Sequence, residues 1–304
     1  MLVVAALGGN ALLRRHESPD AEVAQRNLKV AAEALAEIAC EHQLVVTHGN
    51  GPQIGLLALQ SEAFRDVRTY PLDVLGAESE GMIGYLLERE LANALGPAPI
   101  ASLITQTVVD ALDPAFQKPS KPIGPAYERD HARALARERG WTVAADGADW
   151  RRVVASPTPR SIVELPTIRL LLDHDTVVVC AGGGGVPVVV DSGGARHGVE
   201  AVVDKDLASA LLARELSADL LMFLTDVPAV EIDWRTPNAT ALHTATPSQL
   251  EAYDFAVGSM GPKVGAASCF VRATRKRAAI GALTEAAQLV EGTAGTQVVS
   301  DEQR

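Results

Sequence analysis

The fold is decided by a stretch near the start of the chain, LVVAALGGN at residues 2–10. Six mainly apolar residues end in a glycine pair, and a helical pattern follows at residues 21–41. The same order recurs with QLVVTH at residues 43–48, and three later apolar runs are TVVVCA (176–181), LLMFLT (220–225) and AAIGAL (278–283). Strands that are apolar throughout are buried on both faces, which is typical of parallel sheets covered by helices. The sequence therefore predicts an α/β protein with an open, mainly parallel sheet.

The composition excludes several classes of protein. With 304 residues, of which 47% are hydrophobic, the chain is long enough to bury a full core. No apolar stretch approaches the roughly 20 residues of a membrane helix, and the apolar start lacks the basic region and cleavage site of a signal peptide. The formal net charge of −11 argues against nucleic acid, which is bound through basic patches. We therefore expect a cytoplasmic protein with neither a membrane nor a nucleic-acid partner.

The cysteines form no metal-binding or redox motif. Cys40, Cys180 and Cys269 are far apart in sequence, and no CxxC pair is present. Their apolar surroundings predict reduced thiols in the core.

One segment departs from the alternation of strands and helices. Residues 111–162 carry dense charge and only short apolar runs, together with six prolines: Pro114, Pro119, Pro122, Pro125, Pro157 and Pro159. We predict a single domain over residues 1–304, with residues 111–162 inserted as a small protruding subdomain or lid. A meandering surface region is the alternative that these residues leave open.

Glycine-rich loops follow three of the apolar runs: LGGNA (7–11), HGNGPQIG (48–55) and AGGGGVP (181–187). Ligands of open α/β folds bind beyond the carboxyl ends of the strands, and glycine there lets an anion approach the backbone N–H groups. Each loop alone is equally well explained as a tight strand-to-helix turn. Three such loops at equivalent positions favour a phosphate or carboxylate site, while the missing GxGxxG argues against a dinucleotide fold.

Polar side chains within these loops are candidates for substrate contacts. Asn10 and Asn50 can each orient a small polar molecule without titrating. His48 has no carboxylate partner in the nearby sequence, which favours a buried or turn-satisfied ring over a catalytic one.

Two lysines lie where a helix is predicted to begin. Asp204 is a good N-cap for DKDLASALLARELSA, which places Lys205 in the first turn. In GSMGPKV (258–264), Pro262 suits the first helical position, so that Lys263 also lies in a first turn. A cation at this end opposes the helix dipole at about 0.3 to 1 kcal/mol, and a bound anion would reverse that sign. The pair therefore suggests one shared phosphate chain, although a solvated surface lysine explains either residue alone.

Two further residues complete the candidate group. Asp206 can bind magnesium, position the two lysines by ion pairing, or simply cap the helix. Lys121, within QKPSKPIGPAY, is held on a backbone stiffened by proline.

In this order the motifs are similar to a known group of enzymes. The motifs are LGGNAL, HGNGPQIG, GMIGY, DPAFQKPSKPIG, CAGGGGVPV, EAVVDKD, FLTDV and GSMGPKV, and the similarity around them extends over residues 4–298. Their combination resembles the carbamate kinases of the amino acid kinase family. The motifs KPIG and GSMGPKV distinguish this resemblance from one to other members of that family. The resemblance implies a three-layer αβα sandwich with a protruding subdomain, and a homodimer.

The resemblance also implies a reaction and roles for residues. ATP, with Mg²⁺, and carbamate would be converted reversibly to ADP and carbamoyl phosphate, run toward ATP in arginine, agmatine or ureide breakdown. Lys121, Lys205 and Lys263 would contact the transferring phosphoryl group, and Asp206 would orient the lysines. The group expected to hold phosphate and carbamate is Gly8, Gly9, Asn10, Gly49, Asn50 and Gly51. The group expected near the nucleotide is Thr225, Asp226, Val227, Met260 and Lys263. No protein metal ligands are expected.

A few positions depart from the family pattern. Glu80 stands where glutamine is usual, Ala126 where an aromatic residue is expected, and Arg275 with Lys276 where glycine is common. The alternatives are therefore a relative that phosphorylates another small carboxylate or phosphonate, and a nucleotide sensor without turnover.

Overall fold

The computed structural model describes residues 1–9, 17, 20–63, 69–256 and 258–302. The predicted site residue Asn10 lies outside the described residues. Within these ranges, no helix has both the length and the apolar character needed to cross a membrane.

Strands of the described residues are numbered in chain order. They are β1 (Leu2–Leu7), β2 (Gln43–His48), β3 (Ile100–Ser102), β4 (Gln106–Val109), β5 (Lys121–Tyr127), β6 (Thr142–Asp146), β7 (Asp149–Val154), β8 (Pro159–Ile162), β9 (Val177–Val179), β10 (Val186–Val190), β11 (Arg196–Gly198), β12 (Leu220–Thr225), β13 (Val230–Ile232), β14 (Thr240–Leu242), β15 (Thr244–Ala245), β16 (Arg277–Ala282) and β17 (Thr296–Val298).

The α-helices of the same residues are numbered likewise. They are α1 (Ala21–Ala39), α2 (Gly51–Ala63), α3 (Leu72–Leu95), α4 (Arg129–Arg139), α5 (Leu165–Leu172), α6 (Lys205–Glu215), α7 (Pro247–Leu250), α8 (Met260–Thr274) and α9 (Ala286–Glu291).

The main sheet has eight strands in the order β15-β17-β16-β12-β1-β2-β9-β3. Its neighbours run parallel, except for the antiparallel pair of β16 and β17. In this register Leu7 lies opposite His48 on one side and Leu224 on the other. The carboxyl ends of the central strands therefore meet at one edge, and the predicted mainly parallel sheet is confirmed.

Helices cover both faces of this sheet, because the side chains of β1 alternate between two cores. Val4 and Ala6 belong to a core that includes Leu212 of α6 and Phe270 of α8. Val3, Ala5 and Leu7 belong to the opposite core, with side chains of α1 and α3. The result is the three-layer αβα arrangement that the resemblance implied.

Three strands within the predicted insertion form their own antiparallel sheet, in the order β5-β7-β6, with α4 packed beside it. β8, which ends the predicted insertion, instead pairs with β4 in a four-stranded sheet of order β11-β10-β4-β8. The three-stranded unit contacts α2, where Gly55 meets Gly124 of β5 backbone to backbone. Motion of this unit as a lid stays a prediction.

The prediction that all three cysteines are core residues is wrong. Cys180 is buried behind β9, but Cys40 and Cys269 are exposed, and all three thiols are free. Cys40 follows the last turn of α1, where the chain leaves the core. Cys269 lies on the outer side of α8, between the buried residues Ser268 and Phe270. An apolar sequence neighbourhood did not reveal which side of the helix faces solvent.

The contact between α2 and β5 leads to a stability prediction. A Cβ on Gly55 would lie 1.9 Å from the Gly124 Cα, so Gly55→Ala must move backbone. Overpacking of this kind costs about 1–3 kcal/mol and outweighs the gain of about 1 kcal/mol from alanine in a helix. We expect a lower thermal midpoint, measured by differential scanning calorimetry.

Gly265→Ala is the matched control, because Gly265 also lies inside a helix but a Cβ there meets nothing within 4 Å. This variant should be as stable as the parent or slightly more so. Equal midpoints for the two variants would contradict the close approach of α2 and β5.

Candidate active site

The first two glycine loops lie side by side at the carboxyl edge of the main sheet. The Gly8 N–H donates to the Leu224 carbonyl at 2.8 Å, and the Gly49 N–H donates to the Leu7 carbonyl at 3.2 Å. A Cβ on Gly49 would lie 3.2 Å from the Gly9 Cα, so the loops touch through backbone. The candidate residues Gly8, Gly9 and Gly49 are therefore brought together.

The third glycine loop is enclosed by side chains. Gly182, Gly183 and Gly184 form a buried 3-10 turn after β9. A Cβ on Gly182 would lie 2.4 Å from the His48 Cε1, and one on Gly183 would lie 2.1 Å from the Asn50 Nδ2. Gly183 also has a φ of +64°, a conformation that L side chains rarely adopt. The loop is a close-packed support for the residues that follow β2.

Most of the N–H groups of this third loop are bonded within the protein. The Gly182 N–H donates to Glu80 Oε1 at 2.8 Å, while those of Gly184 and Gly185 donate to the carbonyls of Ala181 and Gly182 at 3.0 Å. These three groups are therefore not presented to an anion. For this loop the structure favours the tight turn, which the sequence left open as an alternative for each loop.

Asn50 is fixed by a hydrogen bond to α3. It is 5% exposed, and its Nδ2 donates to Ser79 Oγ at 2.8 Å. The Ser79 hydroxyl in turn donates to the Gly76 carbonyl at 2.8 Å. The amide is held in one orientation at the start of α2, with Gly51 directly after it.

His48 is a buried and neutral residue. Its Nδ1 donates to the Gly49 carbonyl at 3.2 Å, and Nε2 has no hydrogen-bond partner among the described residues. Burial, opposed by the bond to Gly49 and aided by the charge of Lys205, lowers the pKa of His48 to about 4. The ring is therefore uncharged at neutral pH and agrees with the buried alternative predicted from the sequence.

α6 begins as predicted. The Asp204 side chain accepts from the N–H groups of Asp206 and Leu207 at 2.9 and 3.2 Å, which is the geometry of an N-cap. Lys205 is the first helical residue, and its Nζ donates to Asp206 Oδ1 at 2.5 Å.

A hydroxyl pair connects this turn to the central sheet. Ser209 Oγ donates to the Lys205 carbonyl at 2.7 Å, so the Thr47 hydroxyl, 2.6 Å away, donates to Ser209. Lys205 is thereby held beside the end of β2 and its glycine loop.

α8 begins two residues earlier than predicted, at Met260, so Pro262 occupies the third helical position. This position tolerates proline because the first four N–H groups of a helix have no intrahelical partner. Lys263 therefore lies in the fourth position. Its Nζ donates to Asp206 Oδ2 and to the Ser259 carbonyl, both at 3.3 Å.

One carboxylate thus holds two lysines from different helices. The side chains of Lys205, Lys263 and Asp206 are only 11%, 12% and 7% exposed. Burial lowers the pKa of Lys205, and the charge of Asp206 opposes that effect. Burial by itself would raise the pKa of Asp206, but Lys205, Lys263 and Lys121 together hold it below its usual value.

Lys121 reaches the same place from the three-stranded unit. Its Nζ lies 2.5 Å from Asp204 Oδ2, and the two side chains are 31% and 16% exposed. Three ammonium groups here face the carboxylates of Asp204 and Asp206, so within this group of five side chains the positive charges exceed the negative ones by one. This place therefore attracts an anion although the chain as a whole is acidic.

The residues expected near the nucleotide lie on two elements of the same region. Thr225 ends β12, and its hydroxyl donates to Asp226 Oδ1 at 3.1 Å. Val227 follows and is half-buried. Met260 opens α8, the helix that carries Lys263, and packs partly buried against the core.

Sequence reasoning missed two features of the site. The ion pair of Lys121 with Asp204 joins residues 83 positions apart, and no local pattern indicates it. Glu80 had a signal, because it shares the buried face of α3 with Gly76, Ile83 and Leu87. A carboxyl residue that falls at the helical spacing of buried apolar residues is expected to be buried as well.

The described residues contain no group of three or more His, Cys, Asp or Glu side chains arranged to hold a metal ion. The two carboxylates of the site are already paired with lysines.

Comparisons with known proteins relate the chain to a family. A sequence model of the amino acid kinase family matches residues 1–281. A carbamate kinase of Rhizobium meliloti (strain 1021) is 54% identical over 303 residues, covering 99% of this chain and 94% of that protein. A carbamate kinase of Thermococcus kodakarensis is 45% identical over 313 residues, covering 98% and 99%.

Solved structures give the same result. A carbamate kinase from Giardia lamblia bound to citric acid superposes with a TM-score of 0.93 at 39% identity, covering 99% of this chain and 98% of that one. The same enzyme bound to AMP-PNP has a TM-score of 0.90, also at 39% identity and with the same coverage. The resemblance found in the motifs is thereby confirmed, and the chain belongs to the amino acid kinase family, in its carbamate kinase branch.

Proposed function

We propose that this chain is an ATP-dependent phosphotransferase that converts ATP and carbamate reversibly to ADP and carbamoyl phosphate. The observation that carries the proposal is the Asp206 carboxylate shared by Lys205 and Lys263 at the starts of two helices. Carbamate is proposed as the acceptor because the chain is highly identical to carbamate kinases.

The reaction needs charge neutralisation more than proton transfer. Carbamate is already an anionic nucleophile, so catalysis consists of aligning the reacting oxygens and stabilising charge on the transferring phosphoryl group. A site with three lysines and a neutral, buried His48 fits this requirement. Lys121, Lys205 and Lys263 contact the phosphoryl group, and Asp206 orients two of them.

The two open glycine loops hold the acceptor and the transferred group. Gly49 approaches Gly8 and Gly9 through backbone, while a Cβ on Gly9 or on Gly51 would meet nothing within 4 Å, which leaves room for an anion beside them. Asn50 is pre-oriented by its bond to Ser79. Asn10 belongs to the same proposal by its place in the first loop.

The nucleotide lies against the end of β12 and the start of α8. Thr225, Asp226, Val227 and Met260 form this side, and Lys263 extends from it toward the phosphates. The AMP-PNP complex of the Giardia lamblia carbamate kinase supports nucleotide binding by this fold. Mg²⁺ would supply charge neutralisation on the nucleotide and would be held mainly by the nucleotide's phosphate oxygens and water, since Asp204 and Asp206 are engaged by lysines.

The physiological setting extends the same proposal. The enzyme works in the cytoplasm as a homodimer, at the end of arginine, agmatine or ureide breakdown, and in the direction of ATP synthesis. These properties are inferred from the family that the motifs resemble.

ATP formation from ADP and carbamoyl phosphate tests the proposed reaction directly. A luciferase assay should show ATP that depends on both substrates and on Mg²⁺. Kinase assays with acetylglutamate and other small carboxylates or phosphonates as acceptors are the comparison. Turnover of one of these without ATP from carbamoyl phosphate would identify the chain as a family relative with another acceptor. Nucleotide binding without any turnover would identify a sensor.

Lys263→Ala tests the role of the shared carboxylate. Removing one group that stabilises transition-state charge costs about 10²- to 10³-fold in turnover, and we expect a loss in this range. Lys29→Ala is the control, because Lys29 is 66% exposed on α1 and its pair with Glu33 is a surface contact. Turnover of Lys263→Ala within a few fold of the control would exclude the proposed role.

Asp204→Asn separates the cap of α6 from the ion pair with Lys121. Asparagine caps a helix about as well as aspartate, so we expect little change in thermal midpoint. Turnover should fall toward that of Lys121→Ala, because Lys121 loses its charged partner. Asp204→Ala should lose turnover and also about 1 kcal/mol of stability. Full turnover in Asp204→Asn would show that the pair does not position Lys121.

A further inference from the structure

Glu80 is a buried carboxyl that connects two loops. It lies on α3 with 1% exposure. Its Oε1 accepts the Gly182 N–H at 2.8 Å, and its Oε2 accepts the Thr105 N–H at 3.1 Å. Gly182 belongs to the third glycine loop, and Thr105 lies between β3 and β4. The Glu80 side chain therefore connects α3 to two loops, the one after β9 and the one between β3 and β4.

The segment that Glu80 holds is the one on which Asn50 packs. Gly183 follows the bonded Gly182, and a Cβ there would overlap the Asn50 amide. Thr105 strengthens the same turn, since its hydroxyl accepts the Ala181 N–H at 2.8 Å. A shift of Gly182 would consequently move the surface against which Asn50 is oriented.

No positive group among the described neighbours compensates a charge on Glu80. From β2 it faces the ring of His48, which burial keeps neutral with a pKa near 4. Directly after β9 it faces the Cys180 thiol, and burial raises the pKa of that thiol. At the start of α5 it faces another acidic side chain, the carboxyl of Glu164. Burial raises the pKa of Glu80 itself to about 8, against the opposing effect of its hydrogen bonds. At neutral pH the side chain is therefore mostly an uncharged acid.

We propose that Glu80 is a positioning residue that holds the Gly182 turn, and through it Asn50, as a neutral carboxylic acid. The inference rests on the proposed function, because Asn50 is assigned there to the acceptor. Ionisation of Glu80 places a buried charge beside another carboxyl, loosens the turn and weakens binding of the acceptor.

Binding of carbamoyl phosphate, which carries the carbamate group, should change with pH near the pKa of Glu80. With a pKa of about 8, roughly one molecule in eleven retains the neutral acid at pH 9. Apparent affinity falls in proportion to the competent fraction, so the KM for carbamoyl phosphate should rise up to about tenfold between pH 7 and pH 9. The change belongs to KM more than to kcat, since the hydrogen bonds of Glu80 in the described part of the chain join it to Gly182 and Thr105 and not to the lysines.

The same group affects stability in a different pH range. Its pKa rises from an ordinary value of 4.5 in the unfolded chain to about 8 in the folded one. The folded state therefore holds the proton that the unfolded state loses, and the stabilisation present below pH 4.5 is lost as pH rises to about 8. Above pH 8 both states are ionised and no further change is expected from this group.

Glu80→Gln is the informative variant. Glutamine has one carbonyl oxygen where the acid has two oxygens, so a constant loss of one hydrogen bond is expected at every pH. The quantity to compare is the pH dependence, which the substitution removes. KM and kcat for carbamoyl phosphate with ADP, and the thermal midpoint, should be measured from pH 5.5 to 9.5 for both proteins.

Above pH 8 we expect the KM of the parent to rise relative to that of Glu80→Gln. Between pH 5.5 and 8 we expect the parent to lose stability, so that the thermal midpoint of Glu80→Gln rises relative to that of the parent. Glu90→Gln is the control on the same helix, because Glu90 pairs with Arg89 and takes no part in the proposed contacts. This variant should keep the rise in KM at alkaline pH that the parent shows. An identical alkaline rise in KM for the parent and Glu80→Gln would overturn the proposal.

A midpoint difference that stays constant with pH would also overturn it. Absence of ATP formation at every pH would instead refute the proposed function, and the midpoints would still decide whether Glu80 is held as the neutral acid.

Discussion

The site depends on one carboxylate placed between two buried lysines. Burial disfavours each ammonium group, and the start of a helix disfavours it further. Asp206 offsets both effects, because each of its oxygens accepts from one lysine. It also binds α6 to α8, whose first turns would otherwise repel each other. The arrangement holds two cations close together at the starts of two helices, and in the proposed function a phosphoryl group would find these charge partners already oriented.

The sheet explains why these helices and the glycine loops share one place. Parallel strands β12, β1 and β2 end at the same edge, and the pairing of Leu7 with His48 and Leu224 aligns their loops. Two of the glycine loops meet there through backbone. The third supports them from behind, since its glycines accommodate His48 and Asn50 where any side chain would collide. Glycine therefore provides close packing in the third loop, and in the first two loops it leaves the space that the proposed function assigns to an anion.

Much of this followed from the sequence, because the signals were local. Apolar runs and helix periods indicated the layers, and Asp204 indicated where α6 begins. The proline at position 262 suggested a start for α8 that was two residues late, since proline is tolerated throughout a first turn. The packed role of the third loop, the pair of Lys121 with Asp204 and the bonds of Glu80 all join residues far apart in the chain. Their identity depends on the tertiary fold, and no periodicity in one sequence encodes it.

The most direct test of this account is a crystal structure of the protein with ADP, Mg²⁺ and aluminium fluoride, a mimic of the transferring phosphoryl group. The account predicts the ammonium nitrogens of Lys205 and Lys263 within about 3 Å of the fluoride or phosphate oxygens, with Asp206 still contacting both lysines. A mimic bound elsewhere, with the two lysines directed only at Asp206, would contradict it.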